Sequence, residues 1–363
     1  MVRVLEHLGA NAERGEGSLK IRIASIATPQ APYDLVRTMR ASILTLGPLL
    51  ARHGMARVSL PGGCAIGARP VDLHVDVMRA MGAQVDLQHG YIHARARRLQ
   101  SADYSFDRVT VTGTENAMMA AALASGTTVL RNCAREPEVV DLARLLARMG
   151  APISGAGESC IRIEGADRLH GASHDIVPDR IEAGTFMVAG ALAGGRVKVE
   201  NCRPEHLSSL LERLARCGVC CRVGPTWVEV DGDGDLVSQD VKTGSYPGFP
   251  TDLQAQYMVL MTQARGRAVI SETVFENRFM HVLELKRLGA GIRVEGHRAL
   301  VEGETALSGA QVMATDLRAS ASLVLAGLVA AGETLIGRVY HLDRGYSRIE
   351  AKLKALGAEI ERI

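Results

Sequence analysis

A glycine-rich loop holds the first residues whose types and spacing could do chemistry. Residues 61–70 place Cys64 among three glycines and between two prolines. Glycine lets a backbone approach a ligand closely, and loops of this kind often carry function. Arg69 follows five residues later, and a neighbouring guanidinium favours the reactive thiolate of a cysteine. The segment predicts a reactive cysteine; the alternative is a surface loop with an incidental one.

Carboxylates and arginines recur in four later segments, residues 246–256, 272–279, 314–322 and 340–346. A carboxylate within hydrogen-bond reach of a substrate proton can act as a general base. The alternative for Thr251, Asp252 and Asp316 is that they cap the helices that follow them. Arginines at corresponding ends of repeated elements would bind a polyanion with bidentate geometry, whereas each alone would form a surface ion pair. These arginines are Arg40, Arg69, Arg278, Arg318 and Arg344.

A repeat of about seventy residues positions these segments. A Leu-rich amphipathic stretch that ends in glycine and runs into an alternating strand recurs six times, and its glycines are Gly9, Gly82, Gly150, Gly218, Gly289 and Gly357. An Ala-rich helix that ends in glycine before a Val/Ile strand recurs five times, and its glycines are Gly54, Gly126, Gly195, Gly266 and Gly332. Each glycine of the six-copy series is predicted to end a helix in the left-handed conformation.

The two helix types predict the architecture. The Ala-rich helices are apolar almost all round and must be buried on most faces, which indicates helices gathered inside a wrapping of sheets. Six repeats divide three and three, with a boundary in residues 174–179. Because Gly9 comes almost at the start of the chain, the first repeat is predicted to lack roughly fifty to sixty residues by comparison with the others.

Composition excludes several classes of protein. The chain has 363 residues, 42 Lys+Arg against 40 Asp+Glu, 47% hydrophobic and 4% aromatic residues. This excludes bulk disorder and offers neither the charge nor the stacking surface of a nucleic-acid binder. The longest apolar run, 319–331, is too short to span a bilayer, so a cytoplasmic protein with reduced cysteines is predicted. The pair Cys217 and Cys220 has no partners at metal-ligand spacing, so no metal site is predicted.

With these residues assembled, the chain resembles the UDP-N-acetylglucosamine 1-carboxyvinyltransferase family of enolpyruvyl transferases. The matching stretches run from end to end of the chain: 31–47, 59–74, 178–186, 249–256, 272–281, 307–325 and 340–349. The resemblance implies an α/β fold of two inside-out α/β barrels, residues 1–176 and 177–363. Each barrel has three βαβαββ-type units, and the first unit is incomplete.

The resemblance also implies a reaction and a setting in the cell. The family transfers the enolpyruvyl group of phosphoenolpyruvate to the 3′-hydroxyl of UDP-N-acetylglucosamine and releases phosphate, without a cofactor. Addition gives a tetrahedral intermediate, and elimination follows. This is the first committed step of peptidoglycan synthesis, so roles in cell-wall biogenesis, cell shape and cell division are expected.

Roles for individual residues follow from the same resemblance. Cys64 matches the proton donor, which also carries a pyruvyl adduct and is alkylated by fosfomycin. Asp252 matches the general base, and Arg69, Arg318 and catalytic Arg344 match arginines that hold phosphoenolpyruvate. Arg278 and Asp316 match members of the same site. The matched nucleotide-sugar contacts are Arg40, Arg69, Pro70, Val71, Asp72, Leu73, Arg108, Val109, Thr110, Val111, Asp252 and Val274.

One family motif has no counterpart in this chain. Family members begin with a strand and a Ser-Gly-Ala-Lys-Asn-type segment whose lysine and asparagine bind phosphoenolpyruvate, and none of the six lysines of this chain has that context. We therefore expect a chain that lacks about 50 N-terminal residues. Two alternatives stay open: a truncated, weakly active or inactive nucleotide-sugar binder, and the 3-phosphoshikimate enolpyruvyl transferase.

Overall fold

A computed structural model describes residues 1–16, 18–26, 28–37, 39–60 and 71–363, without the side chain of Arg40. The described chain divides into two compact bodies, with the boundary between Val177 and Pro178. We call them the N-terminal half and the C-terminal half.

The repeat glycines are the clearest local feature of both halves. All eleven adopt positive φ angles, from 71° at Gly54 to 106° at Gly150. A residue with a Cβ is strained in this left-handed conformation, which explains glycine at every one of these positions. The prediction that left-handed glycines end the amphipathic helices is confirmed, and the glycines after the Ala-rich helices share this conformation.

The N-terminal half contains three successive groups of elements. The first group is α1 (Val2–His7), β1 (Ala10–Gly15) and β2 (Ser18–Ile23). The second is β3 (Gln30–Ala31), α2 (Tyr33–Val36), a 3₁₀ turn (Arg40–Thr45), α3 (Leu46–His53), β4 (Met55–Ser59), α4 (Asp72–Ala80), β5 (Gln84–Gln88) and β6 (Tyr91–Arg95). The third is β7 (Asp103–Ser105), α5 (Val111–Ala121), β8 (Thr127–Arg131), α6 (Pro137–Arg148), β9 (Ile153–Ser154) and β10 (Cys160–Glu164).

The C-terminal half also contains three groups. The first is α7 (Arg180–Ala193), β11 (Arg196–Glu200), a 3₁₀ turn (Pro204–Leu207), α8 (Ser208–Arg216), β12 (Cys220–Val223) and β13 (Trp227–Asp231). The second is β14 (Val241–Lys242), a 3₁₀ turn (Thr251–Leu253), α9 (Gln254–Gln263), β15 (Arg267–Ser271), α10 (His281–Arg287), β16 (Ile292–Glu295) and β17 (Arg298–Glu302). The third is β18 (Gln311–Met313), α11 (Leu317–Val329), β19 (Leu335–Gly337), a 3₁₀ turn (Val339–Arg344) and α12 (Ile349–Ala355).

Each group has its own sheet, and the sheets share one topology. The strand orders β3-β4-β6-β5, β7-β8-β10-β9 and β14-β15-β17-β16 are equivalent, with the first pair parallel and the others antiparallel. The remaining groups show parts of this pattern: β1-β2, β11-β13-β12 and β18-β19. Within the described residues the fold is mixed α/β and its strands form separate sheets rather than a closed barrel.

The Ala-rich helices form the centre of each core. Helix α3 packs on α5 in the N-terminal half, and α7, α9 and α11 pack on one another in the C-terminal half. Along α9, every residue from Gln254 to Thr262 is buried. The amphipathic helices α1, α4, α6, α8, α10 and α12 alternate with them along the chain. The predicted division into buried and amphipathic helices is therefore observed.

Candidate active site

The candidate site in the C-terminal half contains an aspartate, Asp252, that is paired with two arginines. Arg278 Nη2 lies 2.7 Å from Asp252 Oδ1, and Arg318 Nη2 lies 3.4 Å from Asp252 Oδ2. The Arg278 side chain is only 4% exposed and that of Asp252 is 40% exposed. The guanidinium of Arg278 also lies 5.5 Å from the centre of the Phe275 ring. The carboxylate is thus fixed in orientation while part of it stays open to a ligand.

A network of neutral groups holds Arg318 from the other side. Arg318 Nη1 donates to the hydroxyl of Tyr346 at 3.4 Å, and that hydroxyl lies 2.9 Å from the hydroxyl of Thr185. The amide of Gln256 donates to both hydroxyls and to the carbonyl of Asp252, at 3.3, 3.1 and 3.0 Å. Since α7, α9 and α11 each contribute to it, the network ties Arg318 and Asp252 to the helical core.

The start of α11 adds a second carboxylate. Asp316 Oδ1 accepts the backbone N–H groups of Arg318 and Ala319 at 2.9 and 3.1 Å, which is the arrangement of an N-cap. His281 is buried nearby, and its Nδ1 lies 3.1 Å from the carbonyl oxygen of Arg278. Burial lowers the pKa of His281; Asp316 opposes this effect and Arg278 adds to it. The imidazole is therefore neutral at neutral pH.

The N-terminal half brings two of the predicted contact segments together. Arg108 Nη2 lies 3.3 and 3.2 Å from the carboxylate oxygens of Asp72. Leu73 is buried in the first turn of α4. Thr110 caps α5, since its hydroxyl accepts the N–H of Gly113 at 3.2 Å. The segments 71–73 and 108–111 thus meet at the starts of two adjacent helices.

A buried amide and imidazole fix these helices. Asn116 Oδ1 accepts the N–H of Gly47 at 2.8 Å, and its Nδ2 donates to the Ile43 carbonyl and to His74 Nδ1 at 3.1 and 3.0 Å. His74 Nε2 lies 3.4 Å from the hydroxyl of Thr112. Because Nδ1 accepts, the imidazole must be neutral, and burial lowers the pKa of His74 to about 4. A Cβ on Gly47 would lie 2.5 Å from two oxygens of Asn116, so this approach requires glycine.

Several predicted residues fall elsewhere. Cys64, Arg69 and Pro70 lie outside the described residues, as does the side chain of Arg40. Of the five predicted residues not yet placed, two lie at helix starts and three at the surface. Val71 precedes α4 and Val111 begins α5, whereas the side chains of Val109, Val274 and Arg344 are exposed.

The helix-cap interpretation is right for Asp316 and wrong for Thr251 and Asp252. Helix α9 has no side-chain cap. The hydroxyl of Thr251 instead donates to Glu272 Oε2 at 2.8 Å, and Asp252 pairs with the two arginines. A 3₁₀ turn at Thr251–Leu253 precedes the helix, so neither residue occupies its N-cap position, which is Leu253.

A cavity elsewhere in the C-terminal half is separate from this site. It has a volume of about 1340 Å³ and is lined by residues of α7, β11, α11, α12 and the C-terminal tail, none of which is a predicted site residue. Its lining is mostly aliphatic, so we place the chemistry at Asp252 instead.

In the described part of the chain, no three His, Cys, Asp or Glu side chains gather as a metal ion requires. Nor does a described helix have the length and apolarity to cross a membrane.

Sequence reasoning missed the residues that hold the site together. All five of these residues are buried: His74, Asn116, Gln256, Glu272 and Tyr346. In the sequence, Gln256, Glu272 and Tyr346 stand out only as parts of longer segments. A signal was present for two of them, because Asn116 and Gln256 lie in helices predicted to be buried, where a polar side chain needs a partner. The partners of these amides come from distant parts of the chain and carry no local signal.

The chain is similar to known enzymes over nearly its whole length. Residues 1–353 match the family described as EPSP synthase (3-phosphoshikimate 1-carboxyvinyltransferase). UDP-N-acetylglucosamine 1-carboxyvinyltransferase of Koribacter versatilis is 58% identical over 364 residues, which cover 99% of this chain and 84% of that protein. The enzyme of the same name from Solibacter usitatus is 58% identical and covers 100% of this chain and 87% of its own length. The chain belongs to the UDP-N-acetylglucosamine 1-carboxyvinyltransferase family of enolpyruvyl transferases.

A solved structure agrees with this family. The enolpyruvyl transferase NikO from Streptomyces tendae superposes with a TM-score of 0.86 at 27% identity, over 99% of this chain and 86% of that one. The family predicted from the sequence is confirmed, and so is the mixed α/β fold of the enolpyruvyl transferases. The chain is accordingly a transferase.

Proposed function

We propose that this chain transfers the enolpyruvyl group of phosphoenolpyruvate to the 3′-hydroxyl of UDP-N-acetylglucosamine and releases inorganic phosphate. The observation that carries the proposal is the 58% identity to transferases of that name over 99% of the chain. The Asp252 carboxylate between Arg278 and Arg318 supports it, because the reaction needs a base beside cationic groups.

In the proposed addition step, Asp252 accepts the proton of the 3′-hydroxyl as its oxygen bonds to C2 of phosphoenolpyruvate. Cys64 delivers a proton to the methylene carbon C3, which gives a tetrahedral phospholactoyl intermediate. In the elimination step, C3 loses a proton, the C2–O bond to phosphate breaks, and the enol ether double bond forms. Overall, the proton of the 3′-hydroxyl leaves with inorganic phosphate, and all other atoms of the two substrates are found in the enol ether or in that phosphate.

The arginines serve the anionic groups of phosphoenolpyruvate. Arg69, Arg318 and Arg344 would bind its phosphate and carboxylate, with Arg278 and Asp316 in the same site. The orientation of Arg318 by Tyr346 supports its part in this proposal, because a fixed guanidinium stabilises developing charge without reorganising. The sugar nucleotide would contact Arg40, residues 69–73, residues 108–111 and Val274.

The proposal extends to the finer features that the family resemblance implies. They are two inside-out α/β barrels at residues 1–176 and 177–363, a pyruvyl adduct on Cys64, and inhibition by fosfomycin through alkylation of that thiol. We also propose a cytoplasmic location and a role in peptidoglycan synthesis, and hence in cell shape and division.

Phosphate release tests the function directly. The purified chain is incubated with phosphoenolpyruvate and UDP-N-acetylglucosamine, with each substrate alone as a control, and with shikimate 3-phosphate as the competing acceptor. We expect release only when the nucleotide sugar is present. Release with shikimate 3-phosphate instead would contradict the proposal. No release despite calorimetric binding of UDP-N-acetylglucosamine would favour the non-catalytic binder.

A further inference from the structure

Glu272 is a fully buried carboxylate at the end of β15. Its side chain is 1% exposed and accepts four hydrogen bonds. Oε1 accepts from the hydroxyl of Thr243 at 2.9 Å and from the backbone N–H groups of Val274 and Phe275 at 2.7 and 3.1 Å. Oε2 accepts from the hydroxyl of Thr251 at 2.8 Å. Three separated segments of chain therefore converge on one side chain.

The partners of Glu272 are all neutral. Across the described ranges, no Lys, Arg or His forms an ion pair with this carboxylate. A buried carboxylate without a counter-ion is costly unless hydrogen bonds replace its water shell. Hydrogen bonds to an ionised acceptor are stronger than neutral ones, so these four donors offset the cost. The desolvation of Glu272 indicates that the position of this carboxylate matters to the segments that donate to it.

The segments that Glu272 joins are those that carry the Asp252–Arg278 ion pair of the candidate site. Thr251 directly precedes Asp252 in the 3₁₀ turn. The amides of Val274 and Phe275 begin the loop that leads to Arg278, whose guanidinium contacts both Asp252 and the Phe275 ring. One carboxylate thus fixes the backbone on both sides of the Asp252–Arg278 contact.

We propose that Glu272 is a positioning residue for enolpyruvyl transfer. It holds the turn that carries Asp252 and the loop that carries Val274 and Arg278 at the separation that the reaction requires. This inference rests on the proposed function for its kinetic consequence. Its structural consequence, the immobilisation of the Val274 and Phe275 amides, can be measured without turnover.

The first pair of variants compares a side chain that keeps the hydrogen bonds of Glu272 with one that removes them. Glu272→Gln keeps an oxygen for Thr243 and both amides, and its amide nitrogen can donate to the Thr251 hydroxyl. We expect kcat within about threefold of wild type for this variant. Glu272→Ala leaves all four donors without this acceptor, and we expect kcat to fall about 10- to 100-fold, with a smaller change in the KM for UDP-N-acetylglucosamine. Values are normalised to the folded fraction.

The second pair makes the same Thr→Val change at two positions, each of which donates one hydrogen bond to Glu272 from a different segment. Thr251→Val and Thr243→Val each remove one hydroxyl donor to Glu272, but Thr243 also accepts the N–H of Thr273 at 3.0 Å. We expect Thr243→Val to lower the melting temperature more and Thr251→Val to lower kcat more. A merely structural role of Glu272 would make kcat follow stability in both variants. This pair also decides the question if Glu272→Ala fails to fold.

Hydrogen exchange gives the readout that is independent of activity. In the full chain, we expect the Val274 and Phe275 amides to exchange at least 10-fold faster in Glu272→Ala and near the wild-type rate in Glu272→Gln. Unchanged exchange in Glu272→Ala, or equal kcat losses in Glu272→Gln and Glu272→Ala, would overturn the positioning role. Inactive wild type with the expected exchange pattern would instead count against the proposed function alone.

Discussion

In the N-terminal half, a neutral amide and a neutral imidazole tie the site segments together, whereas in the C-terminal half a carboxylate lies between two guanidinium groups. Asn116 is fully buried and uses its oxygen and both hydrogens on Gly47, Ile43 and His74. Asp252 is partly exposed and faces Arg278 and Arg318.

This difference indicates which region stabilises the fold and which is open to a substrate. Removing a group from a buried and fully bonded network leaves unsatisfied partners that water cannot reach, so the loss appears as stability. Removing charge from the partly exposed Asp252 as an isosteric amide leaves an oxygen for its buried guanidinium partners, so the loss appears mainly as activity. The following experiments test this difference between the two halves.

The largest effect is expected for Asp252→Asn. Asparagine keeps an oxygen that accepts from Arg278 but cannot take up a proton, so we expect kcat for phosphate release to fall about 10²- to 10⁴-fold. The free energy of unfolding should fall by only about 1 kcal/mol, because the hydrogen bond to the buried guanidinium is retained. Steady-state kinetics and urea unfolding measure the two quantities.

A matched control for this variant lies in the other half. Asp103 forms an exposed pair with Arg131, with two contacts of 2.9 Å, and it is outside the candidate site. Asp103→Asn should change neither kcat nor stability appreciably, since exposed ion pairs contribute little. Unchanged kcat in Asp252→Asn would contradict the assignment of Asp252 as the base.

The next effect is expected for Asn116→Ala. The change leaves the Gly47 N–H, the Ile43 carbonyl and His74 Nδ1 without the amide, and we expect the free energy of unfolding to fall by about 3–5 kcal/mol. Well below its melting temperature, the folded variant should lose less activity than Asp252→Asn. Urea unfolding and kinetics on the same preparation measure both.

Asn11→Ala removes an exposed amide from β1 and serves as the control. We expect its unfolding free energy to stay within about 0.5 kcal/mol of wild type. Equal stability of Asn116→Ala and Asn11→Ala would show that the buried network does not hold the N-terminal half together.

The smallest effect concerns pH. Burial, together with Glu138 and Glu136, raises the pKa of Glu115 from 4.5 to about 7. The folded state therefore binds more protons than the unfolded state between these values, and stability from this group decreases as pH rises from 4.5 to 7. Glu115→Gln should raise the unfolding free energy by about 2–3 kcal/mol at pH 8 and hardly at pH 4.5.

His74 acts in the opposite direction. Its pKa is about 4 in the folded state against 6.5 for the free side chain, so stability decreases as pH falls from 6.5 to 4. His74→Gln should flatten the stability profile in that window, as urea midpoints measured from pH 4 to pH 8 would show.

The same measurement tests Glu115. A pH-independent difference in stability between wild type and Glu115→Gln would contradict the raised pKa of the Glu115 carboxylate.

The repeat shows how much of the fold could be predicted. Helix-ending glycines such as Gly54 and Gly150 were found from their spacing, because left-handed backbone is a local requirement that selects one residue type. The cap at Asp316 was found because an N-cap is also a local requirement, in this case for a side-chain acceptor at the start of a helix. Thr251 and Asp252 have the same sequence signature as a cap, and only the position of Glu272 and the arginines assigns them elsewhere.

The sequence by itself determined the family, the two kinds of helix and their order, because these depend on identity and on periodicity along the chain. Three other features are visible only once the chain is folded: Asn116 bonds with residues more than forty positions away, Arg278 and Arg318 share Asp252, and Glu272 accepts four donors. The physical reason is that a buried polar group must find its partners in space, and no pattern of neighbours along the chain names them.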